Sequence, residues 1–171
     1  MQDIRDSFWG QTMLEAQIPL DAGFDSHSPK RIVIHAMGEY IDTEPVDYHA
    51  VDWLRKLGLS AHAFITPSGV VIRGRKDAQG AYHAKGYNAG SLGVEFLVPG
   101  MHTYATFVSA LKKKYLTKPQ YEAGVELVKG WKDSHDITEI VRHSDLSPGR
   151  KVDPGKGFPW EKFLADTGFG E

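Results

Sequence analysis

The sequence predicts an α/β fold, a single domain in which a central mixed β-sheet is flanked by helices. Short apolar runs at Arg31–His35 and Leu92–Val98 alternate too little for exposed strands and read as buried ones. Stretches with helical apolar spacing interleave with them, at Tyr48, Val51, Leu54 and Leu57 and again at Tyr121, Val125, Val128 and Trp131. Between the strands lies Ala61–Ile65, then Thr66-Pro67-Ser68-Gly69, then Val70–Arg73, which reads as a hairpin. A hairpin introduces an antiparallel pair, so the sheet is expected to be mixed.

The elements follow in order. Residues 1–29 read as an irregular N-terminal arm that Met13, Leu14, Ile18 and Phe24 dock on the body. After the first strand, Pro45 opens a helix ending near Gly58. The hairpin follows, and a loop with Tyr82, His83 and Gly86 leads into Leu92–Val98. Beyond Pro99-Gly100 no element is defined until Pro119, where Thr117 and Gln120 have capping-box spacing ahead of the long apolar stripe. A short strand at Ile140 and Val141 delivers His143. The next stretch carries Pro148, Gly149, Pro154 and Gly155 and is expected to be loop throughout, neither helix nor central strand. Trp160, Phe163 and Leu164 mark a last helix, stopped by Gly168.

At 171 residues, with 41% hydrophobic and 25% charged, the chain has the size and composition of one globular domain with a substantial core. A formal net charge of −2 argues against general nucleic-acid binding. The basic cluster Lys112, Lys113, Lys114 and Lys118 reads as a solvated face, or as help in approaching an anionic envelope surface. Without cysteine, thiol catalysis and a thiolate-bound metal are excluded. The N-terminus has neither a basic leader nor a long apolar run, so it does not read as a signal peptide, and no segment is long enough to span a bilayer. The expectation is a protein that is cytoplasmic when made and not stably inserted in membrane, reaching any substrate outside the cytoplasm only with outside help.

The most informative run is VRHSDLSPGRKVDPG. It offers an imidazole at His143 and, beyond a proline- and glycine-rich turn, a carboxylate at Asp153 with Lys151 two residues before it. In extended backbone residues two apart face one side, so Lys151 and Asp153 project together. Imidazole nitrogen and carboxylate oxygen are ligands that zinc accepts. His35, at the end of the first strand, supplies a candidate third ligand. Singly, each is an ordinary residue, since a lone histidine at a strand end is more often structural. No HExxH pair is present, and Gly38 and the strand reading set aside His35 and Glu39 as a helical pair. Glu95 is a carboxylate in an otherwise apolar strand, costly to bury without purpose but unremarked if that strand is an exposed edge.

The chain resembles the type 2 N-acetylmuramoyl-L-alanine amidase family, which includes AmpD-type amidases, phage amidase lysozymes and peptidoglycan recognition proteins. The resemblance runs from about Arg31 to Phe163. VIHAM is similar to the family's first-ligand strand and RHSDLSPGRKVDPG to the loop bearing its second and third ligands. LSAHAFITPSGVV resembles the middle hairpin, and YHAKGYNAGSLGVEF the segment lining the cleft. The resemblance implies one zinc ion per chain on His35, His143 and Asp153, with Glu95 as general base and Lys151 steadying the oxyanion. It also implies a zinc cleft on one face of the sheet, an amidase domain over residues 30–171, and hydrolysis of the amide joining N-acetylmuramic acid to L-alanine.

Two features divide the family. Some phage members carry a tyrosine near zinc where this chain has Ala61, and lack a carboxylate at the position of Glu95. Glu95 and Asp153 follow the AmpD pattern, whereas HAKGYN resembles the phage enzymes. His83 is expected to line the cleft and touch sugar or peptide, Asn88 to do the same or merely to shape the turn, and His62 to be a hydrogen-bonded structural histidine. Trp53 and Trp131 are expected to pack in the core or on a helix face. The leading expectation is a monomeric phage-type endolysin acting on peptidoglycan. The alternatives are a cytoplasmic amidase that recycles anhydro-muropeptides, a non-catalytic module binding muropeptides in the same cleft, and a zinc hydrolase of another amide.

Overall fold

The computed structural model describes residues 2–4, 13–41 and 50–170. In chain order the elements are β1 (Gln2–Ile4), β2 (Met13–Gln17), β3 (Gly23–Phe24), β4 (Arg31–Ile41), α1 (Ala50–Lys56), β5 (Ala63–Ile65), β6 (Val71–Arg73), β7 (Gly80–Ala81), β8 (Ser91–His102), α2 (Tyr104–Ala110), α3 (Lys118–Ser134), β9 (Glu139–Arg142), α4 (His143–Leu146) and α5 (Trp160–Thr167). Seven strands form one mixed sheet in the order β1-β2-β6-β5-β8-β4-β9, and β3 and β7 form a separate antiparallel ribbon. The expected α/β architecture is therefore the observed one. No helix among the described residues is long and apolar enough to cross a membrane.

Strand β4 lies between β8 and β9 and runs parallel to both. Alternation along parallel strands sorts their side chains between two faces. Ile32, Ile34 and Ala36 join Leu92, Val94 and Phe96 on one face, which α3 and α5 cover with Leu127, Val128, Trp131 and Phe163. His35 and Glu95 fall in the opposite phase. On that side α1 packs Val51 and Leu54 against Phe64 and Leu97. Both faces of the central strands are covered, which explains why they read as continuous apolar runs.

The structure departs from the sequence reading at several points. Within the segment read as an irregular arm, the described residues include strands: β1 pairs with β2, and β2 extends the sheet by pairing in parallel with β6. The arm docks through Ile18 and Leu20 on the core beneath α1, while Leu14 is exposed. Pro45 and Tyr48 lie outside the described residues, and Leu57 is exposed rather than part of the buried stripe. Strand β8 continues through Pro99-Gly100, because its register with β4 shifts between Gly38 and Tyr40. A bulge there tolerates a residue with no N–H, and Glu39 accepts the freed amide of Gly100 at 2.9 Å. The undefined stretch after it contains α2, capped by Thr103. His143 opens a single helical turn, α4, inside the segment expected to be loop throughout.

Helix α3 begins as expected, with Thr117 accepting from the amide of Gln120 at 3.1 Å. Gln120 also reaches into the sheet, where its fully buried Nε2 donates to the carbonyls of Ile65 (2.9 Å) and Leu97 (2.8 Å). One amide thus joins the helix start to β5 and β8. Gln120→Ala removes both bonds, at about 0.5–1.5 kcal/mol each. We expect a loss of about 1–3 kcal/mol in a urea titration; a midpoint within error of the parent's would show that these bonds are not holding α3 in place.

Candidate metal centre

Strand register brings the polar groups together. Across the parallel strands Ile34 pairs with both Val94 and Arg142, and His35 with Glu95. His143, the next residue after β9, therefore arrives level with His35, and Glu95 stands on the other side. Asp153 is ten residues further on, but the chain folds back so that the amide of Ser144 donates to its carbonyl at 3.0 Å. Its carboxylate then accepts the amide of Ala36 at 3.2 Å, fixing it beside β4. The loop after Asp153 is seated on the end of α2. Tyr115 donates its hydroxyl to the Pro154 carbonyl at 2.8 Å, and Gly157 donates its amide to Leu111 at 2.7 Å. A Cβ on Gly157 would lie 1.8 Å from the Lys113 carbonyl oxygen, so only glycine fits.

The resulting cluster is compact and buried. His35 Nδ1 lies 3.0 Å from His143 Nδ1 and 3.4 Å from Asp153 Oδ2, and His143 Nδ1 lies 3.2 Å from the same oxygen. His35, His143 and Asp153 are 1%, 5% and 6% exposed. A tetrahedral zinc with ligands at about 2.0–2.1 Å holds them about 3.3–3.4 Å apart, so the two nitrogens and the oxygen already sit near the edges of such a polyhedron. Two imidazoles and one carboxylate leave a fourth position for water, the donor set of a catalytic zinc site. The three residues expected as ligands are thus assembled by the fold.

Glu95 places Oε1 3.7 Å from His35 Nδ1, while its Oε2 is buried with no hydrogen-bond partner among the described residues. The edge-strand alternative does not hold, because β8 is interior to the sheet. Burial, reinforced by the charge of Asp153, raises the Glu95 pKa well above the carboxylate range, and Lys151 opposes the shift. Burial also works to raise the pKa of Asp153, yet the imidazoles of His143 and His35 outweigh it and hold the pKa below the usual value. Burial pushes that of His35 down, with His143 and Lys151 adding and Asp153 opposing. Lys151 is half-buried on the wall of the same cleft.

The cleft has a volume of about 350 Å³, with Trp53, Leu57, Leu59, Tyr82, Tyr104 and Phe107 among its apolar walls. Tyr104 is 71% exposed and Leu57 52%, unusual for such side chains beside a buried charged cluster. The core or helix-face role expected of Trp53 is corrected here: it lines the cleft, whereas Trp131 is core. Sequence periodicity could not separate the two, since both lie on amphipathic helices. Of the two roles expected of Asn88, the hydrogen bonds fit the turn-shaping one: its Oδ1 accepts the amides of His83 (3.0 Å) and Ala84 (2.7 Å). His83 lies on the cleft wall, but both nitrogens of its ring are engaged, by His35 and by the Ser91 carbonyl.

The family assignment follows from most of the chain. Residues 25–156 match the family model described as N-acetylmuramoyl-L-alanine amidase, and the chain belongs to that family. A 28-residue stretch, 16% of this chain and 15% of the relative, is 54% identical to the 1,6-anhydro-N-acetylmuramyl-L-alanine amidase AmpD of Haemophilus influenzae. Among solved structures, the N-acetylmuramoyl-L-alanine amidase LysC from Clostridium intestinale superposes with a TM-score of 0.68 at 22% identity, over 90% of this chain and 97% of that one. A selenomethionine derivative of AmpD superposes with the same TM-score, 0.68, at 21% identity over 89% and 93% of the two chains.

His62, fully buried, is locked as the neutral ring. Its Nδ1 accepts the amide of Gly93 at 3.0 Å and its Nε2 donates to the Gln79 carbonyl at 2.7 Å. Burial, aided by His27 and Arg73, lowers its pKa from 6.5 to about 4. As pH falls the unfolded chain takes up this proton first. The contribution of His62 is therefore complete above pH 6.5 and lost progressively between 6.5 and 4, reaching about 3 kcal/mol. Urea midpoints of the metal-free protein should fall over that interval, and more shallowly in His62→Gln; parallel curves for the two would exclude His62 as the source.

Proposed function

We propose that this chain is a zinc-dependent N-acetylmuramoyl-L-alanine amidase that hydrolyses the amide between the lactyl group of N-acetylmuramic acid and L-alanine of the stem peptide, acting as a monomer. The observation that carries the reading is the His35–His143–Asp153 cluster with Glu95 beside it, in a cleft of a chain from this family. Zinc held by the three ligands would supply Lewis acidity and bring water's pKa from 15.7 to about 7.

The chain's own groups account for the rest of the reaction. Glu95, adjacent to the cluster and buried, takes a proton from the attacking water in this reading and returns it to the leaving amine; the charge of bound zinc would favour the ionised carboxylate that the first step needs. Lys151 brings a positive charge to the cleft, where the carbonyl oxygen of the scissile amide becomes negative. Exposed Tyr104 and half-buried Trp53 offer flat apolar surface to a sugar ring or a peptide.

The wall polymer is proposed as the substrate, as for a phage-type endolysin, with HAKGYN as the supporting sequence feature. One observation favours a second reading, recycling of soluble anhydro-muropeptides: the short match at 54% identity is to an anhydro-muropeptide amidase. Digestion of purified sacculi with and without chelator, followed by mass spectrometry, separates them. Zinc-dependent release of stem peptides with a free L-alanine amine supports the endolysin, whereas turnover of soluble anhydro-muropeptides alone supports recycling. No new amine from either, despite bound zinc, rejects the amidase and leaves a recognition module.

Glu95→Gln preserves shape and removes the base; it is expected to retain zinc and lose about 10²–10⁴ of kcat. Undiminished hydrolysis would remove Glu95 from the mechanism. His143→Ala is expected to lose both metal and turnover, and full zinc occupancy in that variant would exclude it as a ligand.

A further inference from the structure

We propose that His83 is a positioning residue for the metal ligand His35, and that Gly93 exists as glycine to give its ring room. The assignment follows from which nitrogens can donate. His83 Nε2 lies 3.3 Å from the Ser91 carbonyl oxygen, which can only accept, so Nε2 carries the hydrogen. In a neutral imidazole the other nitrogen is then bare. That bare Nδ1 lies 2.9 Å from His35 Nε2, so His35 donates there. With its hydrogen committed to Nε2, His35 presents an unprotonated Nδ1 to His143, Asp153 and Glu95, the form a metal requires.

The space behind His35 is built for this contact. A Cβ on Gly93 would stand 2.5 Å from His83 Nδ1 and 2.6 Å from Cγ, against the side of the ring that accepts from His35. Gly93 has no freedom to retreat, because His62 holds its strand from the next one. The Gly93 amide donates to His62 Nδ1, and its carbonyl accepts from the His62 amide, both at 3.0 Å. Rings of His62 and His83 meet edge to face at 5.8 Å, and those of His83 and His35 at 5.1 Å. His83 is thereby wedged between a fixed strand and the ligand it orients.

This inference rests on the proposed role of His35 as a zinc ligand, and the experiment keeps the two apart. Long-range ¹H–¹⁵N spectra of the metal-free wild-type protein report the tautomer of His35 directly. Hydrogen on Nε2 is expected, and hydrogen on Nδ1 overturns the proposal without touching the metal assignment. Zinc affinity is then measured by chelator competition on metal-free variants. His83→Ala and Gly93→Ala are expected to bind zinc about 10–100-fold more weakly than wild type. His83→Asn, whose Oδ1 can take the place of Nδ1 as acceptor, is expected to recover most of that loss. Unchanged affinity in His83→Ala, or an Asn variant as weak as the Ala variant, rejects a positioning role. Wild-type protein that binds no zinc rejects the metal assignment instead, and the tautomer spectrum still decides the His83 contact.

Discussion

The parallel register of β8, β4 and β9 is the constraint from which the site follows. Because His35 pairs with Glu95 and Ile34 with Arg142, a carboxylate and two imidazoles reach one level of the sheet on adjacent strands. A shift of one residue in either pairing would turn that strand's polar group to the face packed by α3 and α5 and expose its aliphatic residues. The aliphatic side chains that specify the core therefore also specify the site. Asp153 joins through backbone contacts: the Ala36 amide on its carboxylate and the Ser144 amide on its carbonyl.

Collecting so many ionisable groups where water is excluded opposes folding, because buried charges lose hydration that only good partners replace. The molecule limits the number of charges instead. Burial favours neutral rings at His35, His62 and His83 and a protonated Glu95, while Asp153 keeps its charge against the imidazoles. The same polarisation that makes Glu95 an awkward core residue makes it useful beside a hydrolytic centre.

Support for the cluster comes from three directions. Behind His35, His83 occupies the room left by Gly93, whose amide donates to His62. Beside it, Tyr115 and Gly157 seat the loop bearing Asp153 on the end of α2. On the far face, Gln120 ties α3 to β5 and β8. The open side alone is lined by exposed apolar groups, and that is where a substrate can enter.

Much of this was legible in the residues. Apolar runs marked β4 and β8, the Thr66–Gly69 turn marked the hairpin, and Thr117 with Gln120 marked the start of α3, since each rests on contacts local in the chain. The four motifs carrying the family resemblance named His35, Glu95, His143, Lys151 and Asp153. Strand β2, the continuation of β8 through Pro99-Gly100 and the cleft placement of Trp53 were missed because each depends on a distant partner. Strand β2 exists through its pairing with β6, Pro99 is accommodated by a bulge opposite Glu39, and Trp53 faces a cleft that α1 and α2 make together. The sequence by itself determined β4, the hairpin, β8 and α3 and the chemical kinds of the site residues, because local propensity and motif spacing are written along the chain. Only the tertiary structure decided which nitrogen of His35 faces the cluster and that His83 stands behind it, because hydrogen-bond partners 48 or 108 residues apart are chosen by packing.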